Sequence, residues 1–340
     1  MPKDQLETTR RAVAAHRKFL AALAVVLLAI SIGACSRREH SEKVVAIATL
    51  MTQPALDQVQ AGLKEEMTKQ GWIPGKNIRF VIRNANGQMQ LAASIAQELV
   101  SLNPDVVVPI TTPMAQAVVK IARCPIVFAA VTDPVGAGVV RSLEDPGPNV
   151  TGTSDAWPYR DQLKLIREIL PHARRLGVLF NPGEAASQYG IRQIRQFAPE
   201  LGFTLVDGPV SSTAEVYPVA LNLAPRVDAL FLSSDNTVIG GVAGAIKVAV
   251  ARKVPLFAGD SGTVREGAMA AVSVGYLELG RETGRLVDEE LRGQRNIPVW
   301  VAGGSEVFVN IKAAQLMGVT IPPSILQRAT KVYRLIQEPK

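Results

Sequence analysis

Six short polar clusters each follow directly on an apolar run, and their side chains are of the kinds that hold a small solute through hydrogen bonds. The first half of the chain supplies Thr52 with Gln53, Thr111 with Thr112 ahead of Pro113, and Thr132 with Asp133. The second half supplies Asn181, then Asp235, Asn236 and Thr237, and finally Asp260. Asp133, Asp235 and Asp260 are suited to balancing an ammonium group. Gln53 before Pro54 and Thr112 before Pro113 read as helix starts, where free backbone N–H groups and the helix dipole favour a carboxylate. Together these features suit an amino acid or an amino-acid-like molecule. Each residue also has a plainer role open to it: Asp235 as the cap of its own helix, Asp133 as the shaper of a turn before Pro134. Asp260 is the freest of the three carboxylates, and Trp157 either stacks on a ligand or packs beneath its own lobe.

Motifs for catalysis are missing from the same stretches. The three histidines, His16, His40 and His172, fall outside these clusters, so none is placed as a base or a metal ligand. There is no GxxxxGK[ST] phosphate loop, no GxSxG elbow and no GxGxxG after the first strand. A pairing of Asp133 with Asp260 across a cleft is the one catalytic arrangement left open. The sequence therefore predicts a binding protein that is not an enzyme and has no cofactor or metal. The alternatives are a ligand-sensing receptor module and a secreted carboxylate-dependent enzyme.

The elements that must position these clusters alternate along the chain. Apolar, β-branched runs at 44–50, 78–82, 106–110 and 126–130 are separated by helical spacing at 54–70, 88–102 and from 113 onward. The pattern restarts after 149–155, with helices at 159–170, 184–201, 213–223 and 235–252 between strands at 177–180, 204–206, 229–232 and 255–257. Near-continuous apolar strands joined by helices predict parallel sheets covered on both faces. The remaining strand at 269–274, helix at 277–291 and strand at 306–309 are too few for a third domain and are expected to cross back and complete both lobes. In such α/β sheets the ligand lies beyond the carboxyl ends of the strands, which is where the polar clusters fall.

The chain has 340 residues, 47% apolar and 20% charged, an ordinary globular balance with room for two lobes. The net charge is +7, but the first 34 residues hold five Lys or Arg against two acids, and no basic stripe is interleaved with aromatics, so no nucleic-acid partner is expected. Arg10, Arg11, Arg17 and Lys18 precede a fifteen-residue apolar run at 19–33, too short for a comfortable bilayer span, and read as an export signal. The tetrad Ile32, Gly33, Ala34, Cys35 resembles the bacterial lipobox. That resemblance implies a signal peptide at 1–34, lipidation of Cys35 and a tether at 35–43, which would place the protein in the cell envelope or periplasm. Cys124 is then the one cysteine left, so no intrachain disulfide is expected.

At the polar clusters the segments LMTQPALDQVQAGL, NPDVVVPITTPMAQA, PIVFAAVTDPVGAGVV, NVTGTSD, SSDNTV and EVFVNIKAAQLMGVTIPPSIL stand together over residues 50–326. They resemble the ABC-transporter substrate-binding lipoproteins of the tryptophan/tyrosine-binding type. The resemblance implies an α/β fold of two Rossmann-like lobes with parallel sheets, the type I periplasmic-binding or Venus-flytrap architecture. Lobe 1 is expected over 44–152 plus about 275–308, and lobe 2 over 153–274 plus about 309–335. Hinges are expected near 149–154, 272–276 and 309–311. An ABC permease, a cytoplasmic ATPase and a small-molecule solute are the implied partners. Ligand contacts carried over by position fall on Thr52, Gln53, Thr112, Pro113, Thr132, Asp133, Ser154, Asp155, Asp235, Asn236 and Thr237. Gln53 stands where relatives often carry histidine.

Overall fold

The computed structural model describes residues 42–337. Its first strand, β1 (Lys43–Thr49), is buried from Val45 onward, as expected of a strand covered on both faces. The chain continues through α1 (Pro54–Lys69), β2 (Ile78–Asn84), α2 (Ala92–Ser101), β3 (Val106–Ile110), α3 (Thr112–Val119), β4 (Ile126–Phe128) and β5 (Val150–Ser154). It then runs through α4 (Tyr159–Ile169), β6 (Arg175–Phe180), α5 (Ala185–Phe197), β7 (Thr204–Pro209), α6 (Val216–Leu223), β8 (Ala229–Leu232), α7 (Asn236–Gly240), α8 (Val242–Arg252), β9 (Leu256–Ala258), α9 (Ser261–Glu266) and β10 (Ala270–Ser273). The final stretch is α10 (Tyr276–Leu291), β11 (Trp300–Val301), β12 (Glu306–Asn310), α11 (Ile311–Leu316), α12 (Pro323–Arg328) and β13 (Lys331–Tyr333).

Two sheets result, ordered β11-β5-β4-β3-β1-β2 and β13-β12-β10-β9-β8-β6-β7. All pairings are parallel except β10 with β12, where Ala270 lies opposite Val309 and Ser273 opposite Glu306. Each sheet carries its own apolar core. One is built around Val45, Ile47, Val107, Leu63 and Leu286, and the other around Val178, Leu230, Phe231, Phe257 and Leu163.

The chain passes from one sheet to the other three times, after β5, after β10 and after β11. The first lies between Ser154 and Arg175 and the second between Ser273 and Trp300. The third, expected at 309–311, lies between Val301 and Glu306, because β12 is bonded along its length to β10 and β13. Antiparallel pairing of this strand is invisible in a pattern that otherwise reads as βαβ.

α10 returns the chain to the first sheet by packing on α1 at backbone contact. A Cβ added at Gly62 would sit 2.3 Å from Leu277 O, and one at Gly280 would sit 2.3 Å from Val59 O. Glycine on both helices permits this approach, and it fixes Tyr276, the first residue of α10, at the junction of the two sheets. No helix among the described residues is long and apolar enough to cross a membrane. The expected signal at 1–34, Cys35 and most of the 35–43 tether lie outside the described residues.

Candidate ligand-binding site

A cavity of about 40 Å³ lies where the loops of both sheets meet. The first sheet lines it with Gln53 ahead of α1, Thr111 and Thr112 between β3 and α3, and Ala130 and Thr132 after β4. The second contributes Ser234 and Asp235 ahead of α7 and Asn236 at its start, while Asp155, Trp157 and Tyr276 come from the first two passages. A space of this size holds only a few water molecules.

The walls touch directly. Thr132 Oγ1 donates to Asp155 Oδ1 at 3.0 Å and lies 3.1 Å from Ser234 Oγ of the other sheet. With the single Thr132 hydroxyl proton directed at the carboxylate, Ser234 is the donor of that second contact. At the rim, Arg192 Nη2 lies 3.6 Å from Asp133 Oδ2, an exposed pair worth little.

Asp155 is the centre of the polar network. Tyr276 OH donates to Asp155 Oδ2 at 2.9 Å, and the Trp157 indole Nε1 donates to Tyr276 OH at 2.9 Å. The relay joins the first passage to the second. Among the described residues no Lys, Arg or His lines the cavity. Burial pushes the Asp155 carboxyl above the usual carboxylate range, and the bonds from Tyr276 and Thr132 offset this only in part. Burial, followed by the charges of Asp155 and Asp260, pushes the Tyr276 phenol well above its ordinary value. Trp157 lines the cavity and also packs, with Gly259 so close that an added Cβ would lie 2.0 Å from the indole ring.

On the second sheet the start of α7 is occupied by the protein's own carboxylates. Asp235 caps the helix, accepting from Val238 N at 2.8 Å and from Asn181 N. Glu184 takes the first two amides, Asn236 N at 3.1 Å and Thr237 N at 2.8 Å, and also bonds the Thr237 hydroxyl at 2.6 Å. Burial, then the adjacent Glu184 charge, pushes Asp235 up to about 7. Asn181 Nδ2 donates to Thr237 Oγ1 at 2.8 Å from behind.

The structure thus brings Gln53, Thr112, Thr132, Asp155, Asp235 and Asn236 to the cavity wall. The other expected residues lie elsewhere. Thr52 accepts from Asn84 Nδ2 on the surface, Pro113 borders a separate groove against α2, and Ser154 donates to Thr132 O. Asn181 and Thr237 form the layer behind Asp235. Asp133 receives Gly136 N at 2.8 Å in its own turn. Asp260, the freest acid in sequence, is fully buried and caps α9, accepting Thr263 N at 2.8 Å and Thr263 Oγ1 at 2.6 Å. Asp133 and Asp260 are therefore each engaged locally, and neither lines the cavity. Among the described residues no cluster of His, Cys, Asp and Glu could hold a metal ion.

Sequence reasoning missed the weight of Thr111 and Tyr276. Thr111 was one of several loop hydroxyls, and its distinguishing feature is conformational: φ is +87°, a region β-branched residues avoid. Ala130, opposite it on the wall, has φ +51°. Non-glycine residues held in such regions cluster at functional sites. Tyr276 carried the weaker signal of an aromatic opening a helix directly after a strand.

Residues 44–333 match the model of the ABC transporter substrate binding protein family. The chain belongs to that family. Among the relatives of this substrate-binding protein is the tyrosine-binding protein of Clostridioides difficile, 34% identical over 272 residues, which are 79% of each chain. Its fold, two parallel-dominated α/β sheets, is the type I periplasmic-binding architecture. An ABC domain from Streptococcus pneumoniae in complex with L-Trp matches with a TM-score of 0.83 at 29% identity, covering 86% of this chain and all of that one. A ligand-free, open substrate-binding protein with adhesive properties from Clostridium difficile matches with a TM-score of only 0.66 at 32% identity, covering 86% of this chain and 99% of that one. In overall shape this substrate-binding protein is more similar to the L-Trp complex than to the ligand-free, open protein.

Proposed function

We propose that the protein is the exported solute receptor of an ABC importer and that its cleft captures an amino acid with an aromatic side chain. The observation that carries this reading is Asp155, a buried carboxylate on the cavity wall with no cationic partner, beside Trp157 and Tyr276. An isolated buried charge is costly, and a ligand ammonium would supply the missing counter-charge. The tyrosine-binding relative and the L-Trp complex support the choice of amino acid. The cavity wall holds no His, Cys or Lys to serve as nucleophile or base, which favours capture over turnover.

In this reading lobe 1 binds first, and the passages after β5, β10 and β11 are the hinges about which lobe 2 closes. A ligand touching both lobes favours closure by the free energy of the added contacts. The closed form then docks on a permease served by a cytoplasmic ATPase. Cleavage before Cys35 and its lipidation would hold the receptor at the membrane, two acyl chains being enough for stable anchoring.

The test is calorimetry of the chain from Ser36 onward against L-tryptophan, L-tyrosine, L-phenylalanine and a set of polyols, with small-angle scattering alongside. Heat and compaction with an aromatic amino acid are expected. Saturable binding confined to polyols would overturn the assignment. For the anchor, Cys35→Ala should move the protein from the membrane to the soluble fraction, and an unchanged distribution would remove lipidation from the proposal.

A further inference from the structure

The end of the first sheet remote from the cavity is built alike across its central strands. They start nearly flush there, Lys43 opposite Ile78, Val45 opposite Val106 and Val107 opposite Ile126. The loops that feed β2, β3 and β4 therefore lie side by side across three strand spacings, about 14 Å. Each holds one large apolar side chain out to solvent: Ile73 is 45% exposed, Leu102 44% and Ile121 40%. Exposed apolar residues scattered singly are ordinary, whereas a group at one end of a lobe marks a contact surface. Trp72, half-buried beside Ile73, ties the first of these loops to the fold by donating Nε1 to Asp288 Oδ1 at 2.7 Å.

Cations surround the group. Lys76 follows Ile73 in the same loop, and Lys120 and Arg123 flank Ile121. All three are exposed, and among the described residues none has an acid within ion-pair distance. Most other charges at this end are matched: Lys43 to Asp105 at 2.7 Å, Arg141 to Asp145 at 3.0 Å, Arg292 to Asp288 at 2.8 Å and Arg295 to Glu290 at 2.8 Å. Glu144, on the loop before β5, is an exposed acid without such a partner among the described residues.

The course of the chain says what covers this end. β1 enters in the middle of the group, Lys43 N donating to Asn77 O at 2.9 Å on one side and Asp105 N donating to Val44 O at 2.8 Å on the other. Cys35, the proposed site of lipidation, stands eight residues before Lys43, and eight residues reach at most about 26–29 Å. So short a tether holds this end at high effective concentration over lipid, where a weak affinity is enough. Apolar tips among unpaired cations suit an anionic bilayer, the tips entering the headgroup boundary and each Lys or Arg gaining from the negative surface.

We infer that the amino-terminal end of the first sheet is a docking surface for an anionic bilayer, on which the anchored receptor rests. The strands run from this end toward the cavity, so a receptor seated on it holds its cleft away from the lipid and toward incoming solute. The inference rests on the reading of the chain as exported and anchored, and is independent of which solute the cleft takes.

The experiment sediments the chain from Ser36 onward, which contains all the described residues and lacks the anchor, with vesicles at millimolar lipid and low salt. One set is an equal mixture of phosphatidylglycerol and phosphatidylcholine, the other phosphatidylcholine alone. Each cation near an anionic surface is worth about fivefold, so the mixed vesicles should be bound about a hundredfold more tightly, and less so as salt rises. Replacing Lys76, Lys120 and Arg123 together by Gln should remove that margin. Replacing Lys253, Lys312 and Lys331 of the second sheet, an equal loss of charge, should leave affinity within about threefold of wild type. Ile73→Ser, Leu102→Ser and Ile121→Ser combined should weaken binding to both sets; if that variant fails to fold, the two charge variants decide, since they alter only exposed side chains. No binding of the wild type to the mixed vesicles overturns the inference, as does equal loss in the two charge variants, which would mean attraction by net charge alone. Self-association of the wild type without lipid, abolished in the serine variant, overturns it in favour of a second copy of the chain. Because Cys35 is absent from these vesicle measurements, failure of the surface and failure of the anchor, read by fractionation of Cys35→Ala, are told apart.

Discussion

Replacing Asp155 with asparagine separates the cost of burying a charge from the benefit of pairing it. The carboxylate is 5% exposed and accepts bonds from Thr132 Oγ1 at 3.0 Å and Tyr276 OH at 2.9 Å, with no Lys, Arg or His lining the cavity around it. In the proposed cycle, closing the lobes without ligand would bury this charge uncompensated and bias the empty receptor toward the open form. A ligand ammonium cancels that penalty, so capture and closure become one event. Removing one partner from a buried, hydrogen-bonded charge pair costs about 2–5 kcal/mol, or roughly thirtyfold to several thousandfold in affinity. Asparagine is nearly isosteric but cannot accept both donors, so one weakened bond of about 1 kcal/mol adds to the loss. Calorimetry with L-tryptophan at pH 7 reads the first effect, and scattering from the ligand-free protein reads the second. Asp155→Asn should bind far more weakly and yet be more compact when empty. Because burial raises the carboxyl's pKa in the closed form, the closed state is favoured where the group is protonated and loses that advantage as pH rises through the folded value. The wild-type receptor should therefore close without ligand at acid pH, and the variant should not respond. An affinity within about threefold of wild type, less than 1 kcal/mol, would refute the reasoning.

Asp235, pushed up to about 7, binds its proton more tightly in the folded protein than in the unfolded chain. Its contribution to stability is present below about pH 4 and falls as pH rises toward 7; thermal melts should show this slope, flattened in Asp235→Asn. Gly280→Ala forces a Cβ to 2.3 Å from Val59 O and should lower the denaturant midpoint by at least the ~1–3 kcal/mol of an overpacked core, whereas Ala at Gly303, which has open space around it, should cost far less. Tyr276→Phe removes the donor to Asp155 and leaves Trp157 Nε1 unpaired, at about 1–3 kcal/mol for each orphaned group; urea unfolding measures the loss, and an unchanged midpoint would show that the relay is not held together as described.

Much of this architecture is legible in the sequence because each cue is local. Apolar runs such as VVAIA and VVVPI announce buried parallel strands, and the turn residues that follow them announce the ends where a ligand can lie. What escaped depends on partners distant in the chain. The 235–252 stretch reads as one helix but divides at Gly241, where a Cβ would stand 2.6 Å from Thr213 O. The short strands β11 and β13 have two and three residues and exist only because an edge of each sheet is free to receive them.

The site shows the same division more sharply. Residue type foretold that carboxylates and hydroxyls would gather at the cleft, and Asp155 stands there, but type could not say which acids would be consumed by the fold. Asp260 is spent on Thr263, and Asp235 and Glu184 together fill the start of α7, because a buried helix end must find acceptors somewhere. Among the described residues Asp155 has no cation beside it on the cavity wall, and Thr111 Oγ1 is one of five buried side-chain atoms without a hydrogen-bond partner. The two flank one cavity with opposite needs, a cation for one and an acceptor for the other. A zwitterion would meet both at once, and this is the ground on which an amino acid, and not a sugar, is the proposed ligand.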